Sequence, residues 1–203
     1  KDREGITGIK YISFMNIRVA HEKKGCAEKI LPFLKDGESI YNTLLVSKPG
    51  AGKTTCLRDC IRSLSNGKEG WEGMKICVVD ERSEIAACHL GIPQNDMGIR
   101  TDVLSGCGKS EGMMLMLRSM SPQIIAVDEL GGKKDFQAVE QAACSGVRIL
   151  GTVHADTVEE LWEKPYLKKW MKRGIFERFI LIRHNRSGER DFQVFNGKRE
   201  QLC

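Results

Sequence analysis

Residues 43–55, TLLVSKPGAGKTT, decide how this chain is read, because a short apolar run feeds a glycine-rich turn that ends in a lysine and two threonines. Glycines at 50 and 52 permit positive φ angles and close backbone approach, so the segment Pro49-Gly50-Ala51-Gly52-Lys53 can turn its N–H groups inward around phosphate. A helix beginning near Lys53 adds partial positive charge at its N-terminus. Lys53 is then placed to reach β- and γ-phosphates, with Thr54 on Mg²⁺ and Thr55 completing the loop. The usual pattern is G-x-x-x-x-G-K followed by Ser or Thr, and Ser47 stands at its first glycine. A chance GKTT in an ordinary strand-turn-helix connection is disfavoured by the apolar strand before it and the helix-compatible CLRDCIRSLS after it.

The length of 203 residues suits one sizeable domain: a lead-in over 1–40, a nucleotide-binding core over 41–157, and a basic helix with a β-hairpin over 158–203. A net charge of +5 with pI near 8.8 fits an anionic partner but falls short of a dedicated nucleic-acid binder. Eight cysteines are scattered without a C-x-x-C pair, which indicates neither a zinc site nor a disulfide framework and suits a reducing, cytoplasmic setting. Cys56 and Cys60 share a helix face and read as small core residues. No apolar run approaches a membrane span, and KDREGITGIK is not a signal peptide. An opening without Met that enters a strand-like segment is expected of the later part of a longer protein.

In chain order, Tyr11–Val19 alternates as a half-buried strand, and Cys26–Leu34 reads as a short helix stopped by Pro32 and Lys35-Asp36-Gly37. After the phosphate loop, strand and helix alternate, which predicts a mostly parallel sheet covered by helices. The second buried strand, Lys75–Val79, ends in Asp80-Glu81-Arg82-Ser83-Glu84, a charged cluster at the strand end where open α/β sheets bind ligands. Gly91–Asp102 has no apolar period and reads as a loop carrying Arg100. Gly106-Cys107-Gly108-Lys109-Ser110 looks like a second phosphate loop but follows polar residues, so it is set aside. In the helix that follows, Met113, Met116, Leu117 and Met120 form a core stripe.

Gln123–Val127 is an apolar strand ending in Asp128-Glu129, the second half of a P-loop NTPase: Asp128 for Mg²⁺, Glu129 for the attacking water. Val147–Val153 runs into His154, which at a strand end beside that pair can report the γ-phosphate. Val158–Arg173 is helical with a break at Pro165. Its basic face, Lys164, Lys168, Lys169, Lys172 and Arg173, reads as solvated. Phe176–Arg183 and Asp191–Asn196 form a terminal hairpin.

VDERSEIA at 79–86, the block at 92–132 and GTVHADT at 151–157 resemble the stage III sporulation protein AA family, sporulation ATPases related to type II/IV secretion ATPases. The resemblance implies a RecA-like, AAA+-like α/β fold that hydrolyses ATP with Mg²⁺. It aligns Glu84 with the end of the acidic box, Leu117-Arg118 through Glu129 with a block that opens Leu-Arg and closes on an apolar strand and Glu, and His154 with the histidine box. It also implies a homo-hexamer, cytoplasmic in the mother cell and peripheral to a membrane-embedded sporulation channel. Asp128 departs from the Gly common there, leaving open which acid serves metal and which water. Glu129 and Glu84 therefore compete as general base, and Arg82, Arg100 and Arg118 are candidates for steadying transition-state charge. A RecA-like nucleic-acid motor, suggested by the basic helix, lacks aromatic-rich basic strands for base stacking, so nucleic acid is disfavoured. A nucleotide-sensing scaffold without turnover is the other alternative, and the intact acids argue against it.

Overall fold

Strong apolar runs with both faces covered make strands that are buried throughout, and these strands form the middle of the sheet. The computed structural model describes residues 11–15, 22–68, 70–185 and 189–203. A short helix α1 (Leu31–Leu34) and a two-stranded ribbon of β1 (Lys35–Asp36) and β2 (Ser39–Ile40) lead into β3 (Thr43–Ser47) and α2 (Lys53–Asn66). Then come β4 (Ile76–Asp80), β5 (Thr101–Ser105), α3 (Lys109–Ser119), β6 (Ile124–Val127), α4 (Lys133–Cys144) and β7 (Arg148–His154). A 3₁₀ turn at Glu159–Trp162, α5 (Leu167–Arg173) and the hairpin β8 (Arg178–His184) and β9 (Arg190–Asn196) complete the described order.

The seven-stranded sheet runs β5-β4-β6-β7-β3-β8-β9, parallel except for the antiparallel β8–β9 hairpin. Every residue of β3, β4 and β6 is buried. The two-residue pleat sorts them: Leu44, Val46, Cys77 and Val79 join Met113, Met116, Phe136 and Trp170 on one side. Leu45, Ile76, Val78 and Ala126 join Ile30, Leu34, Cys56, Cys60 and Ile61 on the other. Parallel register brings Ser47 opposite His154 and Val127 beside Val79, so β3, β4, β6 and β7 deliver their polar ends to one edge. The expected α/β fold with its terminal hairpin is the observed one.

Four expectations change. Residues 11–15 form no strand and expose Tyr11, Ile12 and Phe14; the rest of that expected strand, 16–19, lies outside the described residues. Pro32 begins α1 instead of stopping a helix, since a missing N–H costs nothing in a first turn, and 26–30 are turns. Thr101–Ser105, expected as loop up to Asp102, is the edge strand β5; half-buried along its length, it needs no apolar run. GCGKS therefore does follow a strand and opens α3, so the ground for setting it aside fails. The basic helix is partly engaged, with Arg173 paired to Glu140 and Lys169 lying 5.7 Å over the Phe136 ring.

Candidate active site

The phosphate loop is held open by two left-handed glycines, Gly50 at φ 79° and Gly52 at φ 88°, and Gly52 caps α2. Pro49 carries no N–H, so the inward donors come from the residues after it. Lys53 is only 5% exposed and lies back on the strand end. Its Nζ is 3.3 Å from the Ser47 hydroxyl, 3.3 Å from the Lys48 carbonyl and 3.0 Å from His154 Nδ1. Ser47, at the first position of the loop pattern, thus holds the ammonium. Burial lowers the Lys53 pKa against the pull of Asp128 and Glu129.

Around Asp128 the hydroxyls converge. Thr54 Oγ1 donates to Asp128 Oδ2 at 2.7 Å, and Thr152 donates to Oδ1. The Glu129 amide reaches both Asp128 Oδ1, at 3.1 Å, and Thr152 Oγ1, at 2.9 Å. Those bonds hold Glu129 at φ 52°, a left-handed backbone that a glutamate adopts at a cost. The Glu129 carboxylate sits 3.1 Å from His154 Nε2 and 3.1 Å from Arg82 Nη1. The hydrogen bond from His154, then the Arg82 charge, holds its pKa below the usual glutamate value. A neutral His154 with its proton on Nε2 satisfies both contacts, accepting from Lys53 and donating to Glu129.

The charged cluster after β4 is not a solvated run. Asp80 is 2% exposed and accepts the N–H groups of Glu84, Ile85 and Ala86 at 2.9, 3.1 and 2.8 Å. From α2, the buried Arg58 donates to the carbonyls of Glu84 and Ile85 at 2.7 and 2.5 Å. The segment is thus pinned from both sides, and Glu81, Arg82 and Glu84 line one small cleft with Lys109, Asp128 and Glu129. Asp80→Asn replaces an acceptor with a donor facing backbone N–H groups. It is expected to cost about 3 kcal/mol of unfolding free energy, read by urea denaturation, and to slow any chemistry that needs Glu84.

The structure brings together Lys53, Thr54, Asp128, Glu129 and His154, with Glu84 across the cleft. Ala51 and Thr55 stay half-buried in the loop and the first turn of α2, and Pro49 and Gly50 are exposed. Arg100 and Arg118 lie elsewhere: Arg100 precedes β5 and its carbonyl accepts from Ile76 at the start of β4, while exposed Arg118 ends α3. Both occupy the opposite edge of the sheet. Two contributors were missed. Lys109 donates to the Glu129 carbonyl at 2.9 Å and pairs with Glu81 at 3.3 Å, and the GKS in the discarded loop was its signal. Thr152 had only its place before His154 to announce it.

A profile of the family described as "Sporulation stage III, protein AA" matches residues 1–202. Stage III sporulation protein AA of Bacillus subtilis (strain 168) is 43% identical over 176 residues, which is 87% of this chain and 57% of that protein. An uncharacterized protein, ycf45 of Cyanidium caldarium, is 33% identical over 83% of this chain and 47% of its own length. The chain spans about half the length of these curated relatives. Among solved structures, the Legionella pneumophila ATPase DotB superposes with a TM-score of 0.63 at 16% identity, over 87% of this chain and 51% of that one. The pilus retraction motor PilT with bound ADP gives 0.60 at 17%, over 87% and 53%. The VirB11 ATPase of the Brucella suis type IV secretion system, in complex with sulphate, gives 0.57 at 14%, over 85% and 54%. At such identities the shared property is the fold, that of secretion-type ATPases. With a profile running almost end to end and a relative above 40% identity, the chain belongs to the stage III sporulation protein AA family.

Proposed function

We propose that this chain is a Mg²⁺-dependent ATP hydrolase, the core of a secretion-type motor that powers the mother cell–forespore channel complex during sporulation. It works as a ring of six copies in the mother-cell cytoplasm, peripheral to membrane-embedded channel subunits, and residues 1–203 act as one RecA-like domain. Among the described residues no helix is long and apolar enough to cross a membrane. The observation that carries the hydrolase reading is the convergence of Lys53, the Thr54–Asp128 pair and the His154–Glu129 pair at neighbouring strand ends. The ADP in PilT and the sulphate on VirB11 support an anion site in this fold.

The residues fit both groups. Gly50 and Gly52 hold the left-handed angles a phosphate cradle needs, and Lys53 is a desolvated cation held by polar contacts of 3.0–3.4 Å, ready to exchange them for phosphate oxygens. One hydroxyl and one carboxylate, Thr54 and Asp128, are oxygen donors of the kind that would hold Mg²⁺ in a P-loop site. Held by these two residues, Mg²⁺ would supply charge neutralisation to phosphate oxygens. Glu84 or Glu129 orients and deprotonates the attacking water, while Arg82 and Lys109 supply positive charge around the cleft. When Lys53 turns to phosphate, His154 Nδ1 loses its donor. The His154–Glu129 bond is then free to rearrange with the state of the γ-phosphate.

The test is steady-state ATPase activity and mass by light scattering, on the full-length protein, with and without a non-hydrolysable ATP analogue. Mg²⁺-dependent turnover and a nucleotide-induced ring are expected. A stable monomer that neither binds nor hydrolyses ATP sinks the reading.

A further inference from the structure

Beyond the residues of the P-loop pattern, a further cation stands on the phosphate loop with no carboxylate paired to it among the described residues. Arg190 opens β9, opposite His184 in the hairpin register, on the same strand face as Phe192 and Val194, which pack into the core around α2. That face carries its side chain to Gly52. A Cβ built on Gly52 would lie 2.6 Å from Arg190 Nη2 and 2.9 Å from both Cζ and Nε, so the flat guanidinium rests against the backbone of that glycine. Arg190 Nη1 is buried and has no hydrogen-bond partner, and among the described residues no carboxylate pairs with the side chain.

Physically this is a poor place for a lone cation. Gly52 caps α2, whose first-turn N–H groups form the positive end of the helix dipole. Lys53, a second cation, is the next residue. The Cys26 thiol, close enough to feel the Arg190 charge, offers no anion: hydrogen bonding to Cys56 and burial push its pKa up. Two cations, a helix start and an orphaned buried N–H donor define an environment that an anion would complete. An arginine fork is suited to phosphate oxygens because its donors lie in one plane.

We propose that Arg190 is a nucleotide-binding residue, contributed by the hairpin, whose guanidinium closes on the phosphates of a nucleoside di- or triphosphate in the loop and ties β9 to the occupied site. The assignment rests on the hydrolase reading above. It adds a cation that the P-loop pattern does not include and that lies far downstream in sequence.

The test uses full-length protein with fluorescent ADP and ATP analogues, inorganic pyrophosphate as competitor, and the variants Arg190→Ala and Arg190→Lys. Arg190→Ala is expected to weaken both nucleotides and pyrophosphate about tenfold or more, and Arg190→Lys to recover part of the loss. Without nucleotide the melting temperature of Arg190→Ala should hold or rise, because the wild-type guanidinium has no partner to lose. The rise in melting temperature on adding ADP should shrink. Nucleotide affinity within twofold of wild type in Arg190→Ala overturns the proposal. So does a loss of affinity matched by a fall in nucleotide-free stability in both variants, which marks a packing role. Wild-type protein that binds neither nucleotide nor pyrophosphate brings down the hydrolase reading itself.

Discussion

Lys53→Ala is expected to slow ATP hydrolysis by about a thousandfold, with nucleotide binding weakened as well. The ammonium is the group poised to meet charge developing between the β- and γ-phosphates, and a preorganised cation in a buried site has much more leverage there than in water. Here Lys53 is already desolvated at the start of α2, and Ser47, Lys48 and His154 hold its ammonium beside the loop until phosphate oxygens take their place. The same substitution is not expected to unfold the protein. Burial disfavours the charged lysine, as its lowered pKa reflects, so removing it relieves a desolvated cation as it deletes those contacts. Thermal melts of the nucleotide-free variant should fall within a few degrees of wild type. Turnover at wild-type rate would sink the motor reading; collapse of the fold would sink the account of Lys53 as a functional and not a structural cation.

The second large effect separates the two glutamates in the cleft. Glu129 is hydrogen-bonded to His154 and paired with Arg82, contacts that hold its pKa below the usual glutamate value and so weaken it as a proton acceptor. Of the two candidate bases, Glu84 is expected to serve water activation and Glu129 the link between Asp128 and His154. Glu84→Gln is expected to lower kcat by about a hundredfold or more while ATP affinity stays within a few-fold. Glu129→Gln should lose turnover too, and, if its contact to His154 reports the γ-phosphate as proposed, in addition lose the difference in affinity between ATP and ADP. Pre-steady-state binding and single-turnover rates read both. If Glu129→Gln alone traps bound ATP unhydrolysed while Glu84→Gln still turns over, the two roles are reversed.

How much of this was legible in the sequence follows from how strongly each residue is constrained locally. The phosphate loop, the Asp128-Glu129 strand and His154 were readable because a buried parallel strand must be an apolar run, and whatever follows it stands at the ligand edge. The edge strand β5 is hidden from a pattern of apolar runs because half-burial permits polar residues, and GCGKS directly after it is hidden with it. Asp80 reads identically whether it faces solvent or caps three amides; only the path of 84–86 beneath it decides. Arg100 and Arg118 show the converse. An arginine inside a family-like block carries no information about which edge of the sheet it occupies. Arg190 had no motif, since its meaning lies in a contact with Gly52 far away in sequence.

The position of β3 between β7 and β8 also constrains when the cradle can exist. Thr43 pairs with Leu150 on one side and Arg178 on the other, so the strand that carries the phosphate loop gains both its neighbours from the last third of the chain. Contacts that distant in sequence close late, because the loop entropy must be met before the pairing stabilises anything. On the ribosome, the segment 43–55 emerges before β7 and β8. A nascent chain halted before β8 has emerged holds the whole loop sequence while its carrier strand lacks one neighbour, so in the proposed ATPase nucleotide is expected to stabilise the domain only after β8 has paired.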